Sequence, residues 1–591
     1  MTPDNNHQVT YDSPANGQNH IYMNPGIGKD RQLILEAKKK GIWSTVKTYI
    51  GLSGPGWLQS GITLGGGSLA SSLYLGVLVG FSFMWLQPLA MILGIIMLSA
   101  ISYVTLSTGQ RPLRGINEHV SPVLGWGWLI ASMMANLVWS MPQFSLGTAA
   151  IQQNVMPGIF GGGPESLIKD PFTAKLIVVL CILTICVIAT LFYDAGGRGV
   201  KIFEYIIKIV VSMIVLCFFG VVIKLSTEGK IAWGEIFSGL IPDFSLFVRP
   251  SDKLMPHIEK VSEQFRPFWT NMIVNQQRDV MISAAATAVG INMTFLLPYS
   301  MLKKGWDKYF RGLAIFDLST GLFIPFILAT GCVVIASSSQ FHAQPAAGLV
   351  ADEEGGQITA EPAPNLVSPF NGLLKNRLKF ETGSDKFASL TEEQIKEQTA
   401  ALPWADKRMA AMLVTRDSFN LADALAPLTG NVVAQYIFGF GVLGMAISTA
   451  MILMTINGLC FCELLNKPPQ GWPMKVGTLM VGIGALGPFF WGQASAYLAI
   501  PTSVFGMVLL PIAYFAFFLL INQKNYLGEN TPMGIKRLLW NVLMIPAAGA
   551  ATFGCVWSLW SKLRWKGIGL LAGFIALCIV VHFVRPKPKT V

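Results

Sequence analysis

Long apolar stretches alternate with shorter polar segments along most of this chain. Twelve stretches are long enough to cross the ~30 Å hydrocarbon layer of a membrane as helices. They cover residues 50–79, 81–107, 125–152, 174–194, 202–225, 280–301, 313–338, 431–456, 473–492, 497–522, 535–559 and 565–584. The pattern predicts an all-α polytopic membrane protein, and these stretches are numbered here as spans 1 to 12.

The polar segments divide the chain into predicted units. These are a cytoplasmic N-terminal segment (1–49), a first repeat of five spans (50–225), an outer loop (226–279), spans 6 and 7 (280–338), a long outer loop (339–430), spans 8 to 10 completing a second repeat (431–522), and spans 11 and 12 with a cytoplasmic tail (523–591). In the long loop, Thr391 and the two glutamates after it predict a helix over Leu390–Ala401. We interpret this loop as a solvated cap without chemistry of its own.

The basic residues lie mainly on one side of the predicted membrane. Lysines and arginines outnumber aspartates and glutamates by 43 to 32, and they concentrate before span 1 and in loops that share its side. This distribution predicts a multi-pass membrane protein with both termini cytoplasmic. The expected location is the cell membrane, and a bacterial inner membrane is what the resemblance described below implies. The expected partner is the lipid bilayer and not nucleic acid, because there is no soluble basic domain. All eight cysteines lie in spans or at their ends, which argues against a disulfide framework.

Two spans carry signals of a broken helix. Span 1 contains Gly65-Gly66-Gly67 followed by Ser68, and each glycine weakens a helix by ~1 kcal/mol relative to alanine. Span 6 contains Asn292 and Thr294, followed by Pro298. Spans 1 and 6 begin the two five-span halves, and interrupted helices in corresponding positions indicate an inverted-repeat transporter with a binding site near the membrane midplane. Close helix packing is the alternative explanation of the glycines.

Several of these segments resemble the Nramp family of transporters. Gly54-Pro55-Gly56, an apolar run and a four-residue break are similar to the first helix of that family. The stretch from Gly439-Phe440-Gly441 through Ser448-Thr449 to Glu463-Leu464-Leu465 resembles its eighth helix, and Pro511 through Asn522-Gln523-Lys524 resembles the end of its tenth. The resemblance covers spans 1 to 10 but not loop 340–429. It implies a LeuT-type fold of two 5+5 inverted repeats with unwound helices 1 and 6, and alternating access.

The chain departs from the family at the metal-binding motifs. The family's Asp-Pro-Gly-Asn falls on Gly65-Gly66-Gly67-Ser68, and its Met-Pro-His falls on Met293-Thr294-Phe295 when the methionines are matched. The carboxylate, the asparagine and the histidine are therefore missing. The chain resembles a divergent, glycine-substituted branch, and that resemblance implies bicarbonate as the substrate.

The candidate substrate site consists of neutral groups only. Its predicted members are Gly65, Gly66, Gly67, Ser68, Asn292, Met293 and Thr294. A divalent cation normally requires a carboxylate in such a site, whereas the free N–H groups of a helix N-terminus favour an anion. A small inorganic anion is therefore the predicted substrate, and a neutral polar solute and a divalent metal remain alternatives. No nucleophile–base pair or cofactor motif is present, so an enzyme is not predicted.

Other polar residues in the spans carry weaker predictions. Ser448 and Thr449 could hold a coupling sodium ion together with carbonyls of span 1, or could serve as helix-packing residues. Asp317 is either ion-linked or a partner of Arg311. Three further expectations concern side-chain pairing and the permeation path: Glu204 pairs with Lys208, while Asn136 and Gln143 either line the path or bond between helices. The oligomeric state and the role of the long loop stay open.

Overall fold

The computed structural model describes residues 27–194, 197–229, 231–490 and 499–585. In these ranges the chain is helical and has no strand, and twelve segments are long and apolar enough to span a membrane. They are Gly66–Phe83, Leu86–Thr108, Pro122–Val155, Pro171–Tyr193, Gly199–Thr227, Glu263–Lys303, Lys308–Phe341, Val432–Leu464, Trp472–Phe490, Ala499–Leu520, Ile535–Leu563 and Trp565–Val584. The predicted all-α fold with twelve spans is confirmed. The N-terminal segment up to residue 26, the end of the tail and residues 491–498 lie outside the described ranges.

Span 1 is interrupted where the glycines predict it. Helix 1a covers Pro55–Thr63, helix 1b covers Gly66–Val79, and only Leu64 and Gly65 lie between them. Gly65 is extended, with φ −125° and ψ −176°. Proline at the first position of helix 1a suits a helix start, because that position has no backbone N–H to satisfy. The break is shorter than the glycine run, since Gly66 and Gly67 already belong to helix 1b.

Span 6 is also broken, but not at the polar residues that suggested it. Helix 6a covers Arg266–Ala288 and helix 6b covers Ile291–Lys303, so the interruption is Val289-Gly290. Asn292 and Thr294 lie in the first turn of helix 6b, and Pro298 lies inside that helix. The predicted position was wrong because a proline is tolerated in a membrane helix whose neighbours satisfy the freed carbonyl groups.

The two broken helices pack against each other. Helix 1a packs against helix 6b and against spans 5, 7 and 8, whereas helix 1b packs against helix 6a and against spans 7 and 10. Each half of span 1 therefore contacts the opposite half of span 6, as expected for inverted repeats. The breaks bring backbone polar groups to the protein interior, where irregular backbone is tolerated in a membrane protein.

The long loop after span 7 is a folded helical unit. Its helices are Pro364–Thr382, Ser384–Ser389, Glu392–Ala400, Trp404–Leu413 and Ser418–Thr429. The predicted helix begins at Glu392, and Thr391 caps it: the Gln394 N–H donates to Thr391 Oγ1 over 3.3 Å, and the Thr391 N–H donates to Gln394 Oε1 over 2.9 Å. We call the face of the bundle that carries this unit the loop side.

Shorter helices complete the connections. The loop before span 6 contains Trp233–Ser238 and Met255–Glu259. The opposite face carries short helices that precede span 1, follow span 2 and follow span 10, namely Ile27–Lys40, Ile42–Leu52, Pro112–His119 and Lys524–Leu527.

Candidate functional site

The break of span 1 exposes the N-terminus of helix 1b to the protein interior. The first intrahelical bond joins the Leu69 N–H to the Gly65 carbonyl oxygen, 3.0 Å, so the earlier N–H groups belong to the unpaired first turn. The Gly66 N–H donates to Gln143 Oε1 of span 3 over 2.8 Å. Gln143, predicted either to line the path or to bond between helices, therefore contacts the candidate site directly.

The Ser68 side chain is engaged in a hydrogen bond across the break. Its hydroxyl is buried and donates back to the carbonyl oxygen of Thr63, the last residue of helix 1a. This hydrogen bond bridges the break and holds the two half-helices together. Ser68 thus stabilises the interruption, and its role as a direct substrate ligand remains a prediction.

Gly65 and Gly67 are positions of close approach between helices. A Cβ atom at Gly65 would come within 3.0 Å of Thr449 Oγ1 of span 8, and a Cβ atom at Gly67 would lie 2.9 Å from Ser503 Oγ of span 10. The close-packing explanation of the glycines is therefore met at these two positions. It coexists with the break and does not replace it.

Thr449 lies against the end of helix 1a. Its Oγ1 is 3.2 Å from the Gly61 carbonyl oxygen, 3.3 Å from that of Ile62 and 3.5 Å from that of Leu64. Ser448 instead donates to the Met445 carbonyl oxygen of its own helix over 3.2 Å. Of the predicted ion-binding pair, the structure brings Thr449 to the break of span 1 and turns Ser448 toward its own helix.

Span 6 contributes one predicted residue to the break and turns two toward span 3. Met293 Sδ accepts from Thr63 Oγ1 of helix 1a over 3.1 Å. Asn292 Nδ2 donates to Asn136 Oδ1 over 3.3 Å, and Thr294 Oγ1 accepts from the Trp128 indole N–H over 2.9 Å. Thr63 was not predicted, because a lone threonine in an apolar helix gives no sequence signal of its position beside a break.

An acidic side chain of span 7, that of Asp317, accepts hydrogen bonds at the start of helix 1a. Asp317 is buried, and its Oδ2 accepts from the Gly54 and Gly56 N–H groups over 3.1 and 2.7 Å. The predicted pairing with Arg311 is wrong, since Arg311 Nη2 donates to Asn530 Oδ1 over 2.8 Å. Gly56 lies seven positions before Thr63, the last residue of helix 1a, so this carboxylate lies at the far end of that helix, about 10 Å from its end at the break.

The predicted pairing of Glu204 with Lys208 is also wrong, because each side chain has a different partner. Glu204 Oε2 lies 3.0 Å from Lys304 Nζ, and Lys208 Nζ donates to the Ser53 carbonyl oxygen over 2.8 Å. The competing partners come from the end of helix 6b (Lys304) and from the segment that enters helix 1a (Ser53), which helical spacing alone does not reveal.

The polar groups around the break that could bind a substrate are all neutral. They are backbone carbonyls, the hydroxyls of Thr63, Ser68 and Thr449, the Gln143 amide and the Met293 thioether. In the part of the chain that the structure describes, no three His, Cys, Asp or Glu side chains cluster as metal ligands would. The site can therefore offer N–H donors to an anion or neutral oxygens to a cation.

Comparison with known proteins settles the family. The family model described as natural resistance-associated macrophage protein-like, or Nramp, matches residues 56–359 and 402–561, which is more than half of the chain. The chain belongs to the Nramp family. The segment left out of the match, 360–401, falls inside the long loop. No curated protein matches the sequence at a significant level.

Solved structures of an Nramp-fold protein resemble the whole molecule. One variant of the manganese transporter of Eremococcus coleocola gives a TM-score of 0.57 at 12% identity, covering 91% of this chain and 95% of that one. The same transporter in complex with an aromatic bis-isothiourea substituted compound gives 0.57 at 12% identity, covering 92% and 95%. A second variant gives 0.52 at 13% identity, covering 91% and 95%. At this identity the likeness shows the fold.

The predicted Nramp resemblance and the LeuT-type fold are thus confirmed. As an Nramp protein with twelve apolar helices of membrane-spanning length among its described residues, the molecule is a multi-pass secondary transporter, not an enzyme, and it needs no cofactor.

Proposed function

We propose that this Nramp protein transports a small oxyanion, specifically bicarbonate, by alternating access. The observation that carries the proposal is the first turn of helix 1b, whose N–H groups face a break surrounded by neutral side chains. A helix N-terminus carries about half a positive charge, and glycine lets an anion approach its backbone closely. Without a carboxylate at position 65, no charged side chain among the described contacts of the break repels an anion.

Divalent metal transport is the second candidate, and the comparisons favour it. The solved structures that share this fold are described as those of a manganese transporter. The thioether of Met293, the Gln143 amide oxygen and the carbonyls near Thr449 would be its ligands. Against it stands the cost of dehydrating a divalent ion, which carbonyls and hydroxyls alone offset poorly.

A flux comparison separates the two candidates. The full-length protein is reconstituted in liposomes, and uptake of labelled bicarbonate and of manganese is measured in parallel against protein-free liposomes. The proposal predicts bicarbonate uptake that saturates with concentration and manganese uptake no faster than in protein-free liposomes. Manganese uptake without bicarbonate uptake would overturn it and establish the second candidate.

Sodium is the coupling ion that the site supports best. Three carbonyl oxygens of helix 1a and the break, those of Gly61, Ile62 and Leu64, lie within 3.5 Å of Thr449 Oγ1. Neutral oxygens of this kind suit a monovalent cation, whose charge is low enough to be balanced by dipoles.

The basic loops on the side opposite the long loop support an orientation in the cell membrane with cytoplasmic termini.

A further inference from the structure

A small cavity lies between helix 1b and the long loop. Its lining includes Gly66, Leu69 and Leu73 of helix 1b and Arg416, Asp417 and Ser418 of the long loop. Seven residues of one helix separate Gly66 from Leu73, so the cavity follows helix 1b for about 10 Å. Its volume is about 20 Å³, enough for about one water molecule. Three polar residues of the loop, Arg416, Asp417 and Ser418, therefore share a cavity with Gly66 of the candidate site.

Arg416 is buried without an acidic partner among the described residues. It is 3% exposed, and its guanidinium donates only to backbone carbonyls, those of Met412, Gln344 and Ala411 at 3.1, 2.7 and 3.3 Å. The other fully buried arginine of the loop, Arg377, is paired with a carboxylate. A buried charge is costly unless it is paired, so an unpaired one indicates a functional role.

The charge of Arg416 persists at neutral pH. Burial lowers the pKa of its guanidinium to about 10, which still leaves the group protonated. Three carbonyls and the Phe341 ring, whose centroid lies 4.9 Å from Arg416 Cζ, hold the group in one position. The cavity therefore has a fixed positive charge in its lining.

Asp417 also lines the cavity, but its carboxylate is engaged elsewhere. Its Oδ1 accepts from the Phe419 and Asn420 N–H groups, each over 3.0 Å, and its Oδ2 accepts from Asn365 Nδ2 over 3.0 Å. Asp417 thus caps the helix Ser418–Thr429. No ion pair joins it to Arg416 in the described structure, and burial raises the pKa of its carboxyl group.

Ser418 supplies an independent sign of a ligand. The residue is 3% exposed and lines the cavity, yet its hydroxyl has no hydrogen-bond partner among the described residues. Buried hydroxyls nearly always have a partner, so an orphan beside a buried cation indicates a group that binds there.

We propose that Arg416 and Ser418 form a loop-side anion site, which holds the substrate before it reaches the N-terminus of helix 1b. This inference rests on the proposed anion transport and adds the residues that select for charge on the way in. The guanidinium attracts the anion, and the Ser418 hydroxyl donates to one of its oxygens. Because the cavity admits only about one water in this conformation, it widens when the anion enters.

The test compares the concentration dependence of bicarbonate uptake in proteoliposomes containing full-length protein. Arg416→Gln is expected to raise KM about tenfold, the usual loss when a hydrogen bond to a charged group is removed, with a smaller change in the maximal rate. Arg416→Lys, which keeps the charge, should raise KM less. Ser418→Ala should raise KM about threefold. Arg408→Gln is the matched control, because Arg408 belongs to the same loop but does not line the cavity, and its KM should stay unchanged.

The outcomes separate this inference from the proposed function. Bicarbonate uptake with an unchanged KM in Ser418→Ala and in both Arg416 variants would overturn the loop-side site and leave anion transport standing. Manganese uptake without bicarbonate uptake by the unmodified protein would overturn both. If Arg416→Gln fails to fold, Ser418→Ala still decides, since it removes a hydroxyl that has no partner to lose.

Discussion

The residue at position 65 is expected to decide whether the site accepts an anion or a divalent metal ion. The family resemblance places the aspartate of the metal-binding motif at Gly65, where a Cβ atom would crowd Thr449. We expect Gly65→Asp to reduce bicarbonate uptake at least about tenfold below that of Gly65→Asn, because the carboxylate would repel an anion beside the helix N-terminus. The two side chains have nearly the same size, so the steric effect cancels. Equal uptake by the two variants in proteoliposomes would contradict this prediction.

A buried ion pair anchors the long loop to span 6. Arg377 Nε lies 2.8 Å from Asp406 Oδ1, and the Trp269 indole N–H of helix 6a donates to the same oxygen over 2.6 Å. Asp406→Ala would leave the buried Arg377 Nε–H and the buried Trp269 indole N–H without their acceptor. Breaking such a pair costs about 3–5 kcal/mol, so the loop should become sensitive to protease and the melting temperature should fall.

Glu381→Gln is the control for this loop prediction. Glu381 also pairs with Arg377, at 3.0 Å, but its side chain is 43% exposed. Solvated pairs contribute about 0–1 kcal/mol, so thermal unfolding and proteolysis should change little. An equally large loss in both variants would show that the buried pair is not the anchor.

Among the elements, helix 1a is held at its start by a side chain of span 7. Asp317 accepts from two N–H groups that have no intrahelical acceptor, those of Gly54 and Gly56. Asp317→Ala removes both bonds, at about 1–3 kcal/mol for each buried N–H left without an acceptor. We expect the start of helix 1a to detach more often from span 7, which would slow transport.

Labelling of an introduced cysteine checks this prediction. Ser53→Cys, placed just before helix 1a, should react faster with a water-soluble maleimide when combined with Asp317→Ala. Asp317→Asn keeps one acceptor oxygen and should show a smaller increase. The labelling of Ser53→Cys is measured against the unmodified protein, which carries its own eight cysteines. Identical labelling rates with and without Asp317→Ala would contradict a capping role.

The sequence predicts the elements better than their contacts. The break of span 1 was predicted because three adjacent glycines weaken a helix regardless of its neighbours. The break of span 6 was misplaced because Asn292 and Thr294 look disruptive in isolation, whereas Asn136 and Trp128 of span 3 satisfy them inside a helix. Such satisfaction depends on tertiary contacts, which one sequence does not show.

The same limit applies to charged residues. Helical spacing predicts that Glu204 pairs with Lys208, but Lys304 and the Ser53 carbonyl reach these groups from other segments. Arg416 gave no sequence signal, because its burial depends on how the long loop folds onto helix 1b. Apolar periodicity and resemblance therefore predict the twelve spans and the fold, while the partners of buried polar and charged residues are seen only in the packed structure.

At the scale of the whole molecule, the proposed sodium coupling requires that one ion bind span 1 and span 8 together and so stabilise the conformation in which they are in contact. Thr449 Oγ1 faces the carbonyl oxygens of Gly61, Ile62 and Leu64, so an ion there would bind both spans. An inward sodium gradient should then accelerate bicarbonate uptake. Thr449→Val keeps the shape of the side chain and removes its oxygen, and should abolish the acceleration.

Thermodynamic linkage sharpens this prediction. If sodium and the anion stabilise the same conformation, sodium lowers the apparent Kd of the anion by the factor by which the anion lowers that of sodium. Both shifts are measurable by the melting temperature of the detergent-solubilised protein during paired titrations. Ser448→Ala is the matched control, because Ser448 donates within its own helix and should leave both shifts intact. Acceleration by sodium that survives in Thr449→Val would place the coupling ion elsewhere.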